Sequence, residues 1–275
     1  MNTMNIYEQS QFNEIIKWKE KGPSVGKKAT SFIIKPVAWI TNKIIPQKAI
    51  QTALKGAIKV AEKFADENDL IRDAKIKNIE ELKTKDLQIS DKLANNVHNW
   101  ALPIAGTEGG ICGAIGLPGM VADIPAIITF ALRTIHKIGL CYGYKSTTQE
   151  DIQFVYAIMS AAGANTMEEK NIALLTLKQL NVILTKQTWK KMAEKAAQNK
   201  MTNEAFLITI KGLAKQLGIN ITKNGAKKAI PIIGGGVGAA MNVAFIQDIS
   251  WAARRCFQER WLYDNGKIHT QDSYN

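Results

Sequence analysis

The segment ALPIAGTEGGICGAIGLPGMVADIPAIITFAL (residues 101–132) constrains the architecture of this chain most strongly. Its 32 residues include only two charged side chains, Glu108 and Asp123. A glycine recurs every three or four positions, so the segment is too apolar and too glycine-rich for an ordinary amphipathic helix. Glycines at this spacing lie on roughly one side of a helix and let a second backbone approach closely. The glycines expected to pack in this way are Gly106, Gly109, Gly113, Gly116 and Gly119.

A second segment, AIPIIGGGVGAAMNVAFIQDI (residues 229–249), is a partial copy of the first. Both contain Ala-(Leu/Ile)-Pro-Ile-x-Gly, then a run of small apolar residues, then Asp-Ile, so Asp123 and Asp248 occupy corresponding ends. We therefore expect the two segments to pair in a pseudo-symmetric core. The close-packing glycines of the second segment are Gly234, Gly235, Gly236 and Gly238.

Three interpretations of the glycine-rich segments compete: a close-packed core of a soluble bundle, an interfacial hairpin that enters a bilayer, and a phosphate-binding loop. A membrane span needs about 20 apolar residues, and Pro118-Gly119 interrupts the first segment between its two charges. A phosphate loop requires a preceding strand and, in the Walker pattern, a Gly-Lys-Ser/Thr, which neither segment has. The packed core is favoured, and the bilayer hairpin is second.

Helical periodicity runs through the chain, and convincing strand alternation is found nowhere. The sequence predicts an all-α fold, a single multi-helix domain built around the two glycine-rich apolar elements. We expect residues 1–65 to form lysine-rich N-terminal helices packed on the main domain. Residues 66–266 are expected to form the helical domain and residues 267–275 a flexible tail.

Local signals indicate several helix boundaries. Pro46 fits the first turn of a helix, and Ser90 is a candidate N-cap. The helix that follows Asp123-Ile-Pro125 is expected to end at Gly143. Thr148-x-x-Asp151 resembles a capping box with Asp in place of Glu. Residues 66–91 carry mixed charges and are the best candidate for a loose linker.

The net charge of +12 is unevenly distributed. Eleven lysines lie between Lys17 and Lys63 against Glu20 and Glu62, and no arginine precedes Arg72. Lysines suit diffuse attraction to anionic surfaces, whereas base-specific reading of DNA relies on arginine forks. We expect an anionic membrane surface or lipid as partner and no nucleic acid, although a purely solvated helical surface explains the lysines equally well. The expected membrane-surface residues are Lys17, Lys19, Lys27, Lys28, Lys35, Trp39 and Lys43.

The cysteines and histidines do not form a recognisable metal or redox motif. Cys112, Cys141 and Cys256 are widely spaced in apolar settings and include no CxxC pair, so we expect buried reduced thiols. The three histidines lack ligand spacing. We therefore expect no metal and no cofactor, and we assign no catalytic residue.

Several polar residues in or beside the apolar segments form a candidate ligand site or core polar network. Buried carboxylates need partners, because an unpaired buried charge is costly. A structural ion-pair network is favoured over a ligand site, and a ligand site over a catalytic carboxylate pair. The residues are Glu108, Asp123, Arg133, Tyr142, Tyr144, Asp248, Arg254 and Arg255.

The residues EGGICGAIGLPGMVADIPAIITFALRTIHKIGLCYGY (108–144), together with GGGVGAAMNVAFIQDISWAARRCFQERWL (234–262), resemble the bacterial EcsC protein family. The family pattern often has Thr at Cys112 and Asp at Lys145, so this chain supports no role for a hydroxyl or a carboxylate at those positions. The resemblance covers roughly residues 7–262 and implies a bacterial, mostly helical protein connected with the membrane or with transport. It carries over no catalytic residue.

These observations favour a non-enzymatic, membrane-associated or lipid-binding helical protein of the EcsC type, accessory to a transport or secretion system. The N-terminus lacks the apolar stretch of a secretory signal, so we expect a cytoplasmic protein, peripheral at the inner face of the cytoplasmic membrane. A membrane transporter or another protein is a further expected partner, and a homo-oligomer is compatible with the sequence. The alternatives are an enzyme acting on a lipid-like or apolar substrate with Glu108 and Asp123, and a pore-forming or toxin-like protein.

Overall fold

The computed structural model describes residues 3–22, 44–46, 67–107, 126–164, 166–191, 220–222 and 237–269. Within these ranges the chain forms seven α-helices, a short 3-10 helix and two three-residue strands, and the predicted all-α fold is confirmed. The elements in chain order are α1 (Ile6–Glu20), β1 (Ile44–Pro46), α2 (Asn68–Ala74), the 3-10 helix (Ile79–Lys83), α3 (Leu87–Gly106), α4 (Ala126–Cys141), α5 (Gln149–Gly163), α6 (Met167–Lys191), β2 (Asn220–Thr222) and α7 (Val237–Asp264).

Helix α7 is the central element of the described bundle. It packs against α1, α3, α4, α5 and α6, and α5 packs in turn against α6. Every residue from Phe154 to Gly163 of α5 is buried, because the sequence FVYAIMSAAG there is almost entirely apolar or small. A helix that is apolar on all sides is stable in water only inside a core. Within the described ranges, no helix is long and apolar enough to cross a membrane.

Helices α4 and α7 approach each other closely at Gly139. A Cβ atom at this glycine would lie 2.8 Å from Cζ of Phe257 on α7. The Phe257 ring consequently sits among three other aromatic rings, with centroid distances of 6.3 Å to Tyr142, 5.9 Å to Tyr144 and 5.5 Å to Phe154. These separations are typical of favourable aromatic pairs.

A Tyr142-Gly143-Tyr144 turn ends α4. The Gly143 amide donates to the Leu140 carbonyl and the Tyr144 amide to the Gly139 carbonyl, both at 2.9 Å, which is the hydrogen-bond pattern of a Schellman motif. Gly143 has φ +83°, a conformation that favours glycine. The helix end expected at Gly143 is confirmed.

The described residues between α2 and α3 are part of the core, so the expectation of a loose linker is wrong. Leu70, Ile76, Ile79 and Leu82 are all buried. Apolar side chains spaced along the mixed-charge sequence hold it against the bundle. Its charged side chains include Asp69, which pairs with Lys137 of α4, and Glu67 and Glu80, which pair with Lys145.

Helix α3 begins earlier than expected. Its N-cap is Asp86, whose side chain accepts from the Gln88 amide at 2.8 Å, so the expectation of a cap at Ser90 is wrong. Ser90 lies inside the helix and is buried. By contrast, the capping box of Thr148 and Asp151 is confirmed, with hydrogen bonds at 3.1 and 3.3 Å.

A short parallel ribbon adds a β element that the periodicity did not indicate. Ile44 of β1 is paired with Asn220 of β2, and Pro46 with Thr222. Pro46 therefore ends a strand, and its expected place in the first turn of a helix is wrong. A three-residue strand is too short to produce a recognisable alternation of polar and apolar residues.

Gly106 is the one predicted close-packing glycine whose surroundings are described. A Cβ atom there would lie 3.1 Å from Cγ2 of Val243, so α3 and α7 approach closely where the two glycine-rich segments enter the described ranges. Gly238 lies in the first turn of α7. The other predicted glycines lie outside the described residues, and pairing of the two segments along their length stays a prediction. The division of the chain at residues 65 and 266 also stays a prediction.

Substitution of Gly143 by alanine should destabilise the protein more than the same substitution at Gly266. Both glycines have positive φ, which costs about 1–2 kcal/mol for an alanine. At Gly143 the added Cβ would also lie 2.8 Å from the backbone nitrogen of Lys83, and such overpacking costs a further ~1–3 kcal/mol. At Gly266 nothing lies within 4 Å. Urea denaturation of both variants measures the difference, and equal losses would show that the close approach at Gly143 is not rigid.

Candidate functional site

Asp91 of α3 is the centre of a buried polar network. Its side chain is only 1% exposed. The hydroxyl of Tyr142 donates to Oδ1, and the hydroxyl of Tyr7 donates to Oδ2 at 2.6 Å. The Gln258 amide donates to the same carboxylate at 2.8 and 2.9 Å. Nε of Arg254 lies 3.5 Å from Oδ1 and supplies the opposite charge. Four side chains from three other parts of the chain therefore converge on one carboxylate.

The network continues from Asp91 towards the surface of α1. Nη1 of Arg255 donates to Oε1 of Gln258 at 2.9 Å and to Oε1 of Gln11 at 3.0 Å. Nη2 of Arg255 lies 3.6 Å from Oε2 of Glu14, a half-exposed carboxylate on the outer side of α1. We call the whole set, defined by Tyr7, Gln11, Asp91, Tyr142, Arg254, Arg255 and Gln258, the Asp91 network.

The electrostatics of the Asp91 network keep its hydroxyls neutral. Burial raises the pKa of Tyr142, and the neighbouring Asp91 carboxylate raises that pKa further. The pKa of Tyr7 is raised by the same two causes. Burial opposes the charge of Arg254, but Asp91 outweighs it and the pKa of Arg254 is raised. A neutral phenol that donates to a carboxylate is a poor nucleophile and a poor base, so the arrangement favours structural cohesion over catalysis.

A second buried cluster surrounds Arg260 of α7. Its Nη1 lies 3.0 Å from Oδ1 of Asp151, and its guanidinium lies 4.1 Å from the centroid of the Tyr144 ring. The Tyr144 hydroxyl donates to Oδ2 of Asp264 at 2.8 Å. Burial and the Asp264 carboxylate raise the pKa of Tyr144. Asp151 thus caps α5 and also ties the start of α5 to the end of α7.

Helix α1 is held to the bundle by ionic contacts. Nζ of Lys19 lies 2.5 Å from Oε1 of Glu259, and both side chains are nearly buried. Lys170 of α6 donates to the Trp18 and Lys21 carbonyls at the end of α1, where a cation also complements the helix dipole. The expectation that Lys19 belongs to a membrane surface is wrong, because the buried Glu259 carboxylate requires a cation inside the bundle.

The structure brings together some of the polar residues predicted from sequence. Tyr142, Arg254 and Arg255 belong to the Asp91 network, and Tyr144 belongs to the Arg260 cluster. Arg255 is 8% exposed, and burial lowers its pKa, as does the neighbouring Arg254.

The other predicted polar residues lie elsewhere. Arg133 is half-buried and lies 5.3 Å from the centroid of the Trp100 ring, and burial lowers its pKa. Asp248 lies on α7 and is partly exposed. Glu108 and Asp123 lie outside the described residues, as do Lys27, Lys28, Lys35, Trp39 and Lys43.

Asp91, Gln258 and Arg260 organise both clusters, and none of them was predicted from the sequence. One signal could have found Asp91: it lies at helical spacing from the apolar residues Leu87 and Ala94, on the face of α3 that is buried. A carboxylate on an apolar helix face requires a partner. The mistaken N-cap at Ser90 concealed this, because it placed Asp91 in an exposed first turn.

The described residues offer little for metal or thiol chemistry. No group of three His, Cys, Asp or Glu side chains among them could hold a metal ion. Cys141 and Cys256 are free and buried, and burial raises the pKa of both thiols. These two are therefore the buried reduced thiols that were expected, whereas Cys112 lies outside the described residues.

The fold and the two clusters define a class of protein: an all-α bundle whose central helix is tied to its neighbours by buried ion pairs. Within this class, the chain belongs to the EcsC protein family, which it matches over residues 9–262, from within α1 to near the end of α7. It is similar to the Bacillus subtilis (strain 168) protein described as "Uncharacterized protein YdbA", with 22% identity over 193 residues. The match covers 69% of this chain and 64% of that protein, so the chain spans less than two thirds of its relative. No solved structure matches the chain.

Replacement of Asp91 by asparagine should strongly destabilise the protein. The amide would meet donors from Tyr7, Tyr142 and Gln258, and Arg254 would lose its buried counter-charge. Breaking a buried pair in this way costs about 3–5 kcal/mol.

Tyr142→Phe removes one donor to a charged acceptor and should cost about 1.5–3 kcal/mol. Chemical denaturation measures both, with the more exposed Tyr7→Phe as a milder comparison. An Asp91→Asn variant as stable as the parent would contradict the structural role of the network.

His136 of α4 gives a pH-dependent prediction. It is 4% exposed, and among the described residues its Nε2 has no hydrogen-bond partner. Burial lowers its pKa from 6.5 to about 4, although Asp151 opposes the shift. His136 is therefore neutral in the fold. As the pH falls from 6.5 to 4, the histidine takes up a proton in the unfolded chain but not in the folded chain. The free energy of unfolding therefore decreases over this range.

A His136→Leu variant should lose less stability between pH 6.5 and pH 4 than the parent. The histidine can cost up to about 1.4 kcal/mol per pH unit in this window. Urea midpoints at several pH values measure the slope. His269→Leu, which makes the same substitution at an exposed histidine, is the comparison variant. Identical slopes for the parent and His136→Leu would show that other groups determine the acid sensitivity.

Proposed function

We propose that this protein is a non-enzymatic, membrane-associated or lipid-binding helical protein of the EcsC type, peripheral at the inner face of the cytoplasmic membrane. The observation that carries the proposal is the excess of lysine between Lys17 and Lys63, where eleven lysines face only two acidic residues. An anionic leaflet contributes about 1 kcal/mol for each lysine held near it, so a few exposed lysines suffice for reversible attachment. The resemblance to the EcsC family supports an accessory role in a transport or secretion system.

Lysines that pair with other groups of the protein contribute less to the proposed attraction to the membrane. Lys19 and Lys170 are buried against polar partners, Lys137 lies 2.5 Å from Asp69, and Lys145 lies within 3.2 Å of two glutamates. The Lys17 side chain lies 2.8 Å from Glu14 but is 71% exposed, and ion pairs at the surface are weak. The proposed attraction therefore rests on Lys17 and on the lysines at positions 27, 28, 35 and 43.

The polar core supports a non-enzymatic role. Asp91, Asp151 and Glu259 are buried carboxylates, and each is held by an arginine or a lysine from another helix. A buried carboxylate that is already paired with a cation is less available to a substrate. These contacts fit a protein that acts through its surface.

Flotation with lipid vesicles tests the proposal. We expect the full-length protein to bind vesicles of phosphatidylcholine and phosphatidylglycerol, and to bind weakly to phosphatidylcholine alone. High salt should reduce the binding because it screens the charges. Equal failure to bind both kinds of vesicle would overturn the proposal.

Two variants of equal net charge distinguish binding through a local lysine surface from binding that depends on net charge alone. A variant with Lys27, Lys28, Lys35 and Lys43 changed to glutamine should bind anionic vesicles at least about tenfold less tightly, at about 1 kcal/mol per lysine. The control changes four exposed lysines elsewhere to glutamine and has the same net charge. An equal loss for both variants would show that net charge alone governs binding. The control positions are Lys75, Lys77, Lys85 and Lys92.

A further inference from the structure

Helix α6 has an inner face that belongs to the core of the bundle. This face packs against α5 and α7. Its buried apolar side chains are Ala173, Leu174, Leu177, Leu180 and Leu184. The burial of these side chains fixes the orientation of the helix, so the opposite face is turned outward.

The outward face of α6 is also apolar. Ile172 is 38% exposed and Leu175 is 55% exposed, and Val182 and Ile183 are partly exposed on the same side. At 3.6 residues per turn these four positions fall within an arc of about 100°, which also includes the exposed Gln179. We call Ile172, Leu175, Val182 and Ile183 the outer strip of α6. A surface helix normally has polar residues at such positions, so an apolar strip outside the core requires a partner.

The charges along α6 indicate what that partner is. Its acidic residues, Glu168 and Glu169, lie in the first turn. From Asn171 to the end of the helix the sequence has no acidic residue. By helical position, Lys178 lies beside the outer strip, and residues 186 and 190 continue its line towards the end of the helix. An apolar strip on a helix whose only charges beyond the first turn are lysines is the pattern of a helix that lies in the interface of an anionic bilayer.

Other exposed apolar residues lack this combination. Ile6 is 93% exposed, but it is a single side chain at the start of α1, close to Glu8. Ile89 and Trp100 are also exposed one at a time on α3. Isolated apolar residues are ordinary at protein surfaces, so none of these positions indicates a docking surface.

We propose that the outer strip of α6 docks on an anionic lipid bilayer, with the helix lying along the membrane surface. The proposal rests on the membrane association proposed above and names the part of the protein that makes the apolar contact. The four apolar side chains enter the boundary between headgroups and acyl chains, and the positive charges at positions 178, 186 and 190 are attracted to anionic headgroups. The inner face stays packed in the bundle, so docking requires no unfolding.

A neutral double substitution tests this contact. In Ile172→Gln/Leu175→Gln the net charge is unchanged, so long-range attraction to the membrane is preserved and only apolar insertion is lost. The matched control, Ile6→Gln/Ile89→Gln, changes two exposed isoleucines elsewhere. We expect the α6 variant to bind phosphatidylcholine–phosphatidylglycerol vesicles at least about tenfold less tightly than the parent, and the control to bind as the parent does.

Further outcomes are equally decisive. If the parent binds and the α6 variant binds equally well, the outer strip is not the contact, and membrane association stands without it. If the parent itself does not bind anionic vesicles, membrane association and docking fail together. If the variant becomes monomeric by light scattering while the parent is a dimer, and vesicle binding is unchanged, the strip covers a second copy of the chain. The single Leu175→Gln variant, expected to be intermediate, serves if the double variant does not fold.

Discussion

The turn formed by Tyr142, Gly143 and Tyr144 is the constraint on which the rest of the described structure depends. The positive φ of Gly143 reverses the chain directly after α4, and the two tyrosines then diverge. The hydroxyl of one reaches Asp91 on α3, and that of the other reaches Asp264 at the end of α7. A buried carboxylate is stable only with donors or cations in place. The geometry of this three-residue turn therefore fixes the relative positions of α3, α4 and α7.

Helix α7 supplies the cations that complete this arrangement. Arg254 forms an ion pair with Asp91. Arg260 forms an ion pair with Asp151 and lies over the Tyr144 ring. These arginines lie nearly two turns apart on one helix, so the two clusters are coupled through a rigid element. Replacing such pairs by apolar residues can be neutral in other proteins. Here Asp91 also receives neutral donors from separate helices, which favours one packing of the bundle over slipped alternatives.

The all-α class could be predicted because helical periodicity depends on local sequence alone. The capping box at Thr148 and the helix end at Gly143 could be predicted for the same reason. The two clusters could be predicted only in part. Their tyrosines and arginines lie in segments that stand out in the sequence, whereas Asp91 lies in an ordinary amphipathic helix. The same limit applies to Lys19, because its partner Glu259 lies 240 residues later and no local pattern connects them. Which lysines face solvent is a property of packing.

The attachment of α1 has a consequence for how the chain is made. Its ionic partners, Glu259 and Lys267 among them, are translated long after α1, because Glu259 lies 240 residues later than Lys19. Until α7 has been synthesised, Lys19 lacks Glu259, and Asp91 lacks Arg254 and Gln258. Helix α1 therefore cannot complete its contacts with the bundle before α7 has been translated. Its apolar side chains, such as Ile15 and Trp18, are available to chaperones during that interval. Closure of the bundle thus depends on contacts between residues that are far apart in the sequence, with the loop-closure entropy that such contacts entail.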